Sequence, residues 1–473
     1  MNTETIVQKI WSLCNILRGD GVSYHEYISE LTYLLFLKIA EENKSEKYLP
    51  EGRRWGDLIN FKGDDLLSFY REMLTYLGEH APDEQVRKIY AFPTTVFSHS
   101  ENLKAVIHGI AKLDWHAFGM DRMGDIYEGL LAKNSQDARS GAGQYFTPRP
   151  LVDCIVRLVS PALGEVIQDP AMGSGGFLIS ADQSVRLNST KNSYAATPPF
   201  YEGVEIEKGT YRIALMNAFL HRISSSLILG DALTEDANGL SEADVILANP
   251  PFGVKSGSAR LQRDDFSFPT ANKQLAFLQH IYLALKPGGR AAVVLPDNVL
   301  FEDGVGKKIR QELMSLCQLH TILRLPSGIF YSPGVKTNVL FFSRCEDGQK
   351  GTQSVWIYDM RFDAPRFGRK RPLSDSDFAK FEKAFGKDPR GLAKRSTDGF
   401  EGRWKCFSRQ QISDRNDSLN LAWLGDGSDQ DEAMTEPDEI ALVIQDHLRA
   451  ALREIEAVTN ELAEADEAGE VVR

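Results

Sequence analysis

Nothing in this 473-residue chain approaches the roughly 20 consecutive apolar residues that a membrane span requires. The richest early run, Tyr33 to Ala40, is short and carries Lys38, and the amino terminus shows no charged-then-apolar leader. Cysteine is scarce. Five residues, Cys14, Cys154, Cys317, Cys345 and Cys406, are scattered without metal-ligand spacing. An odd, unclustered set excludes a disulfide framework and leads us to expect reduced thiols in a cytoplasmic protein without metal ligands or membrane contact. Internal repeats are missing. So is any overall positive charge: the net charge is -12.

That last deficit is local. From Asp426 to Arg473 there are 15 acidic and 3 basic residues, so the tail carries the whole imbalance and residues 1 to 425 are neutral. A neutral body with basic spots such as Arg366 to Arg371 ("RFGRKR") can still meet phosphates, although that cluster reads equally as a solvated loop. No recognition-helix motif or basic arm is evident, so nothing here reads base sequence.

The composition, 42% hydrophobic and 25% charged, is that of a folded chain with a sizeable core, and the length implies two or three domains. Residues 1 to 118 read as helical. In "YHEYISELTYLLFLKIAEEN" Tyr27, Leu31, Leu34, Leu35 and Lys38-Ile39 recur at three- and four-residue steps. "SGAG" at Ser140 to Gly143 marks a loop. From 119 to 425, β-rich runs ("EVIQDP", "FYEGVEIE", "SSLILGDAL", "ADVILANPP", "GRAAVVLP", "HTILRLP", "TNVLFFSR") alternate with helical ones such as Lys208 to Ile223 and Asn272 to Leu285. This alternation predicts an α/β fold with a doubly wound, mostly parallel sheet. Residues 426 to 473 form an acidic linker and an amphipathic helix, with Ile444, Leu448, Ala451, Ile455, Val458 and Leu462 on one face. We expect that helix to dock on a partner rather than fold back.

Chemistry concentrates where strands end. "EVIQDPAMGSGGFLISA" is strand, glycine loop, helix: Asp169 closes the strand, and Gly173, Gly175 and Gly176 let the backbone turn and a ligand approach. No Lys-Ser/Thr pair follows, which excludes a nucleoside-triphosphate loop. The next two strand runs end in Glu205 and Asp231. Acids at that place accept hydroxyls of a ribose. Three of them beside a glycine loop point to a nucleoside cofactor without phosphates, because they would repel a pyrophosphate. The fourth run ends in Asn249-Pro250-Pro251-Phe252. Asn249 and the Pro250 carbonyl offer two acceptors, the prolines remove competing N–H groups and stiffen the backbone, and Phe252 offers a flat face. Together they suit a planar –NH2 on a π system, gripped by its two hydrogens so that its lone pair becomes available to attack.

These segments resemble the amino-methyltransferases that use S-adenosylmethionine. "DPAMGSGGF", "GVEIE", "GDAL" and "ANPPF", preceded by "GAGQYFTPRPLV", are similar to the DNA adenine-amino group of that superfamily. "RIALMNAFLH", "NKQLAFLQHIYLALKPGGRAAVVLPDNVLFEDG" and "LPSGIFYSPGVKTNVLFF" narrow the resemblance to the modification subunit of type I restriction-modification systems. The resemblance implies that Asp169, Ala171 and the loop Gly173, Ser174, Gly175 and Gly176 face the methionine part of S-adenosylmethionine. It places Glu205 on the ribose, Asp231 and Ala232 at the cofactor's adenine, and Tyr145, Phe146 and Thr147 along the cofactor pocket. Asn249, Pro250, Pro251 and Phe252 would hold a target base flipped from double-stranded DNA; Phe330 either stacks on that base or belongs to the core. The implied partners are a DNA-specificity subunit, a second copy of the chain and a nuclease/translocase subunit. Met172 and Ser174 depart from the family's usual Cys or Ala and Thr. Two other readings stay open at this stage: a protein glutamine-amide methyltransferase, and a DNA-clamping module without catalysis.

Overall fold

The computed structural model describes residues 3–18, 24–42, 44–61, 65–113, 147–253, 263–330, 336–365, 371–397 and 401–421, with a few isolated positions between and beyond them. Tyr145, Phe146 and the acidic linker and helix expected over 426 to 473 lie outside the described residues. The chain packs as two compact units: Met1–Ser140, Pro161–Ala232 and Asp236–Ser241 form one, and Gly141–Ser160, Leu233–Glu235 and Glu242–Arg473 the other.

The first unit begins with helices, among them Thr3–Arg18, Tyr24–Glu42, Leu66–His80 and Ser100–Ala111. The periodicity expected for Tyr24–Glu42 is explained by burial: Tyr27, Leu31, Leu34, Leu35 and Ile39 are at most 2% exposed. Lys38 interrupts that face and is buried as well, with its ammonium 2.6 Å from both Glu41 and Glu42. Three parallel strands follow: β1 (Val166–Asp169), β2 (Phe200–Glu205) and β3 (Ser225–Leu229), in the order β3-β2-β1. Helix Lys208–His221 joins β2 to β3 and packs on helix Glu84–Ile89, where Arg212 Nε donates to the Ile89 carbonyl at 2.8 Å. The amino-terminal helices and the β1–β3 layer therefore share one core.

In the second unit β4 (Ala243–Ala248) runs parallel to β5 (Leu285–Pro296), with helix Lys273–Ala284 between them in sequence. The strand order continues β5-β7-β6-β8-β9, with β6 at Cys317–Leu325, β7 at Thr337–Arg344, β8 at Ser354–Asp359 and β9 at Trp404–Ser408. β7 is antiparallel to both β5 and β6, and β9 is antiparallel to β8. β4–β5 and β6–β8 are parallel and, with β1–β3, keep the pairing mostly parallel as the alternation predicts, while β7 and β9 add antiparallel pairs that make this half mixed. The reason is local. Parallel neighbours need a crossover of about a dozen residues or more, usually a helix, whereas sequential strands such as β6 and β7 that pair side by side without one run antiparallel. No helix among the described residues is long and apolar enough to cross a membrane.

Candidate active site

Parallel pairing of β1, β2 and β3 puts their carboxyl ends on one edge, so Asp169, Glu205 and, two residues beyond β3, Asp231 all lie at that edge. The loop after β1 is held by a closed set of hydrogen bonds. Met172 N–H donates to the Val204 carbonyl at 3.1 Å, and Gly175 N–H to the Met172 carbonyl at 2.8 Å. Gly173 N–H donates to Glu205 Oε2 at 3.0 Å. Gly173 and Gly175 take φ of +55° and +83°, a left-handed backbone that glycine adopts without steric cost. Gly176 opens helix Gly176–Leu187. The larger Met172 fits because Gly203 of β2 has no side chain: a Cβ there would sit 2.5 Å from Met172 Sδ.

The electrostatics of this edge follow from burial. Asp169 is 1% exposed, and its carboxylate accepts the Ala171 N–H at 3.1 Å. Loss of solvent raises its pKa to about 8; the Ala171 bond opposes the rise and the charge of Glu205 adds to it. Glu205 is also raised by burial, against the pull of the Glu207 and Gly173 N–H groups. Its Oε1 accepts from Glu207 N–H at 2.8 Å. A carboxylate has about four lone-pair directions, and Glu207, Gly173 and Ile206 N–H groups draw on them, so the carboxylate is held by its backbone while some acceptor capacity remains. Asp231 is half-buried; its N–H donates to Asp236 Oδ2 at 2.9 Å, and Ala232 beside it is buried.

In the second unit, β4 runs directly into Asn249-Pro250-Pro251-Phe252. Asn249 is half-buried, and its Nδ2 donates to Thr147 Oγ1 at 2.8 Å. That bond sets the rotation of the amide and turns the Oδ1 acceptor to the opposite end of the planar group. Pro250 is buried, Pro251 exposed and Phe252 half-buried. The Gly253 carbonyl accepts from Lys273 N–H at 3.2 Å, which anchors the far end of this stretch to the first residue of helix Lys273–Ala284. Asn272 Oδ1 caps that helix through the N–H groups of Gln274 and Leu275. Phe330, in the turn after β6, is 4% exposed.

Thr147, expected along a cofactor pocket, accepts from the Asn249 amide through its hydroxyl. Sequence reasoning also missed a network at the carboxyl end of β5. Asp297 accepts from Asn338 Nδ2 at 2.7 Å and is gripped by both terminal nitrogens of Arg361, at 2.8 and 2.6 Å. Arg361 Nε donates to the Leu325 carbonyl at 2.9 Å, so one guanidinium links the ends of β5 and β6 while Asn338 adds β7. The acid directly after "AAVVLP" was the available signal, since it repeats the strand-then-acid pattern of β1 and β2.

The family described as N-6 DNA Methylase matches residues 119–432, and the HsdM N-terminal domain matches residues 6–47. The chain is 43% identical to the type I restriction enzyme EcoKI methylase subunit of Escherichia coli (strain K12), over 99% of this chain and 97% of that one. A crystal structure of the EcoKI M protein aligns at 38% identity and a TM-score of 0.56, covering 97% of this chain and 96% of that one. A chain from work on complex assembly and conformational transition of the type I R-M system aligns at 26% identity and a TM-score of 0.71, covering 98% and 99%. With a methyltransferase α/β sheet, three strand-end acids beside a glycine loop and Asn-Pro-Pro-Phe after β4, the chain belongs to the methylase subunits of type I restriction enzymes, within the N6-adenine DNA methyltransferase family.

Proposed function

We propose that this chain transfers a methyl group from S-adenosylmethionine to the exocyclic N6 amine of adenine in double-stranded DNA, as the modification subunit of a type I restriction-modification complex. The observation that carries the proposal is the Asn249 amide. It follows directly on β4, it is fixed by Thr147 Oγ1, and two prolines come next.

The residues at the β1–β3 edge fit the cofactor. The loop Gly173 to Gly176 keeps side chains away from a bound methionine moiety, with Asp169 and Ala171 at its base. Glu205 retains some acceptor capacity for ribose hydroxyls, and Asp231 and Ala232 would meet the adenine. Buried acids suit a ligand that carries positive charge and no phosphate. When bound, the cofactor supplies a methyl group activated on a sulfonium sulfur.

Everything else is positioning. Asn249 Oδ1 and the Pro250 carbonyl accept the two hydrogens of the target amine, while Phe252 stacks on the base. Accepting both hydrogens draws the nitrogen toward a tetrahedral geometry and localises its lone pair. No strong base is required. The amine is buried in the duplex stack, so the base must turn out by about 180°. A neutral body without a base-reading element fits a division of labour. A DNA-specificity subunit chooses the site and contacts the helix within 426 to 473, a second copy of this chain clamps the duplex, and a nuclease/translocase subunit joins the complex in the cytoplasm. In this scheme residues 1 to 118 form a helical amino-terminal domain and residues 119 to 425 the catalytic one.

The test is reconstitution. The purified chain is expected to bind S-adenosylmethionine yet methylate DNA only marginally until the specificity subunit is added. Robust site-specific methylation by the lone chain would contradict the proposal.

A further inference from the structure

The glycine loop has a support that lies outside its own strand. Helix Lys208–His221 presents Ala214 and Asn217, three residues apart and hence on one face, to the loop. A Cβ on Gly175 would lie 3.8 Å from that of Ala214. Asn217 is 1% exposed, and its Nδ2 donates to the Ser174 carbonyl at 2.8 Å. The Ser174–Gly175 peptide is therefore gripped at both ends: Asn217 holds its oxygen, and its N–H is the one that reaches the Met172 carbonyl. The other bonds of the loop come from β1, β2, the loop itself and the helix that follows it, whose Ile179 N–H donates to the Gly175 carbonyl at 3.0 Å, so among the described residues Asn217 is a clamp contributed by a second helix.

Its second polar atom shows what the clamp costs. Asn217 Oδ1 is buried and accepts no hydrogen bond among the described residues. A buried acceptor left so lowers stability, and an apolar side chain of similar shape would avoid that loss while leaving the Ser174 carbonyl without its donor. An amide kept at such a position does not serve packing.

We propose that Asn217 is a positioning residue for the cofactor. It gives up stability to hold the Ser174 carbonyl, and through it the turn Met172 to Gly175, in the conformation that receives the methionine moiety. The inference rests on the reading of the loop as the S-adenosylmethionine site.

Two variants of the full-length chain test it, each with S-adenosylmethionine affinity by titration calorimetry and melting temperature measured side by side. Asn217→Leu removes the clamp together with the buried acceptor Oδ1 but leaves the Ser174 carbonyl without its donor, two effects of opposite sign; we expect affinity to fall about tenfold or more with little net change in melting temperature. Asn217→Asp keeps the shape and the acceptor but loses the donor toward Ser174, and should weaken binding to a similar degree. Wild-type affinity in either variant overturns the inference. So does a fall in melting temperature for Asn217→Leu in step with its affinity, which is the mark of a merely structural residue. Failure of the wild-type chain to bind S-adenosylmethionine would instead refute the cofactor reading beneath it.

Discussion

At the scale of single residues, Asp169 makes the sharpest pH statement. Its folded pKa of about 8 lies above the ordinary 3.8, so the folded protein holds this proton more tightly than the unfolded chain does. The resulting stability is fully present below the ordinary value and is lost as pH rises through about 8. Chemical denaturation of the ligand-free protein between about pH 5 and 8 is expected to show stability falling with pH, and Asp169→Asn should flatten that slope. Equal slopes would refute it. Gly203 makes a steric statement: with a Cβ only 2.5 Å from Met172 Sδ, Gly203→Ala must move the Met172 side chain, and Met172 Cβ at 3.2 Å and the Asp169 carbonyl at 3.3 Å leave the new methyl little room. We expect a loss of about 1–3 kcal/mol on denaturation, together with weaker cofactor binding.

Among elements, the buried pair Arg324–Asp359 fastens β6 to β8. The two side chains are 3% and 1% exposed and 2.7 Å apart, so neither partner can fall back on water. Arg324→Ala leaves a buried charge unpaired and should cost about 3–5 kcal/mol on denaturation, whereas removing both partners should cost less than the single variant. This scale also shows what the sequence could reveal. Asp169, Glu205 and Asn249 were legible because each closes an apolar run, and position at the end of a strand is a local property. The core face of Tyr24–Glu42 was legible through its period. The antiparallel insertion of β7 between β5 and β6 was not, because β-propensity carries no direction. β8 and β9 were also missed, being brief runs set among charged and turn-forming residues. Asn217 stood in the open as the one amide in "RIALMNAFLH", but its partner Ser174 lies 43 positions away along the chain. No periodicity reports a contact of that kind, and the bond from Thr147 to Asn249, 102 positions apart, was hidden for the same reason.

For the whole molecule, charge decides how DNA is approached. The body up to residue 425 is neutral while residues 426 to 473 carry -12, so the chain alone offers few net cations to a duplex. DNA affinity of the isolated chain should therefore be weak, and should rise with a steeper salt dependence once the specificity subunit is present. Titrations over a salt series with and without that subunit check this; identical slopes would count against a shared phosphate interface. Removal of residues 426 to 473 is expected to leave S-adenosylmethionine binding intact and to abolish co-purification with the specificity subunit. The central claim concerns Asn249, and single-turnover methylation of a duplex by the assembled complex carrying Asn249→Ala tests it most directly. Removing one of two preorganised acceptors should lower the rate about 10²–10³-fold with S-adenosylmethionine affinity unchanged. A near-normal rate would contradict the account.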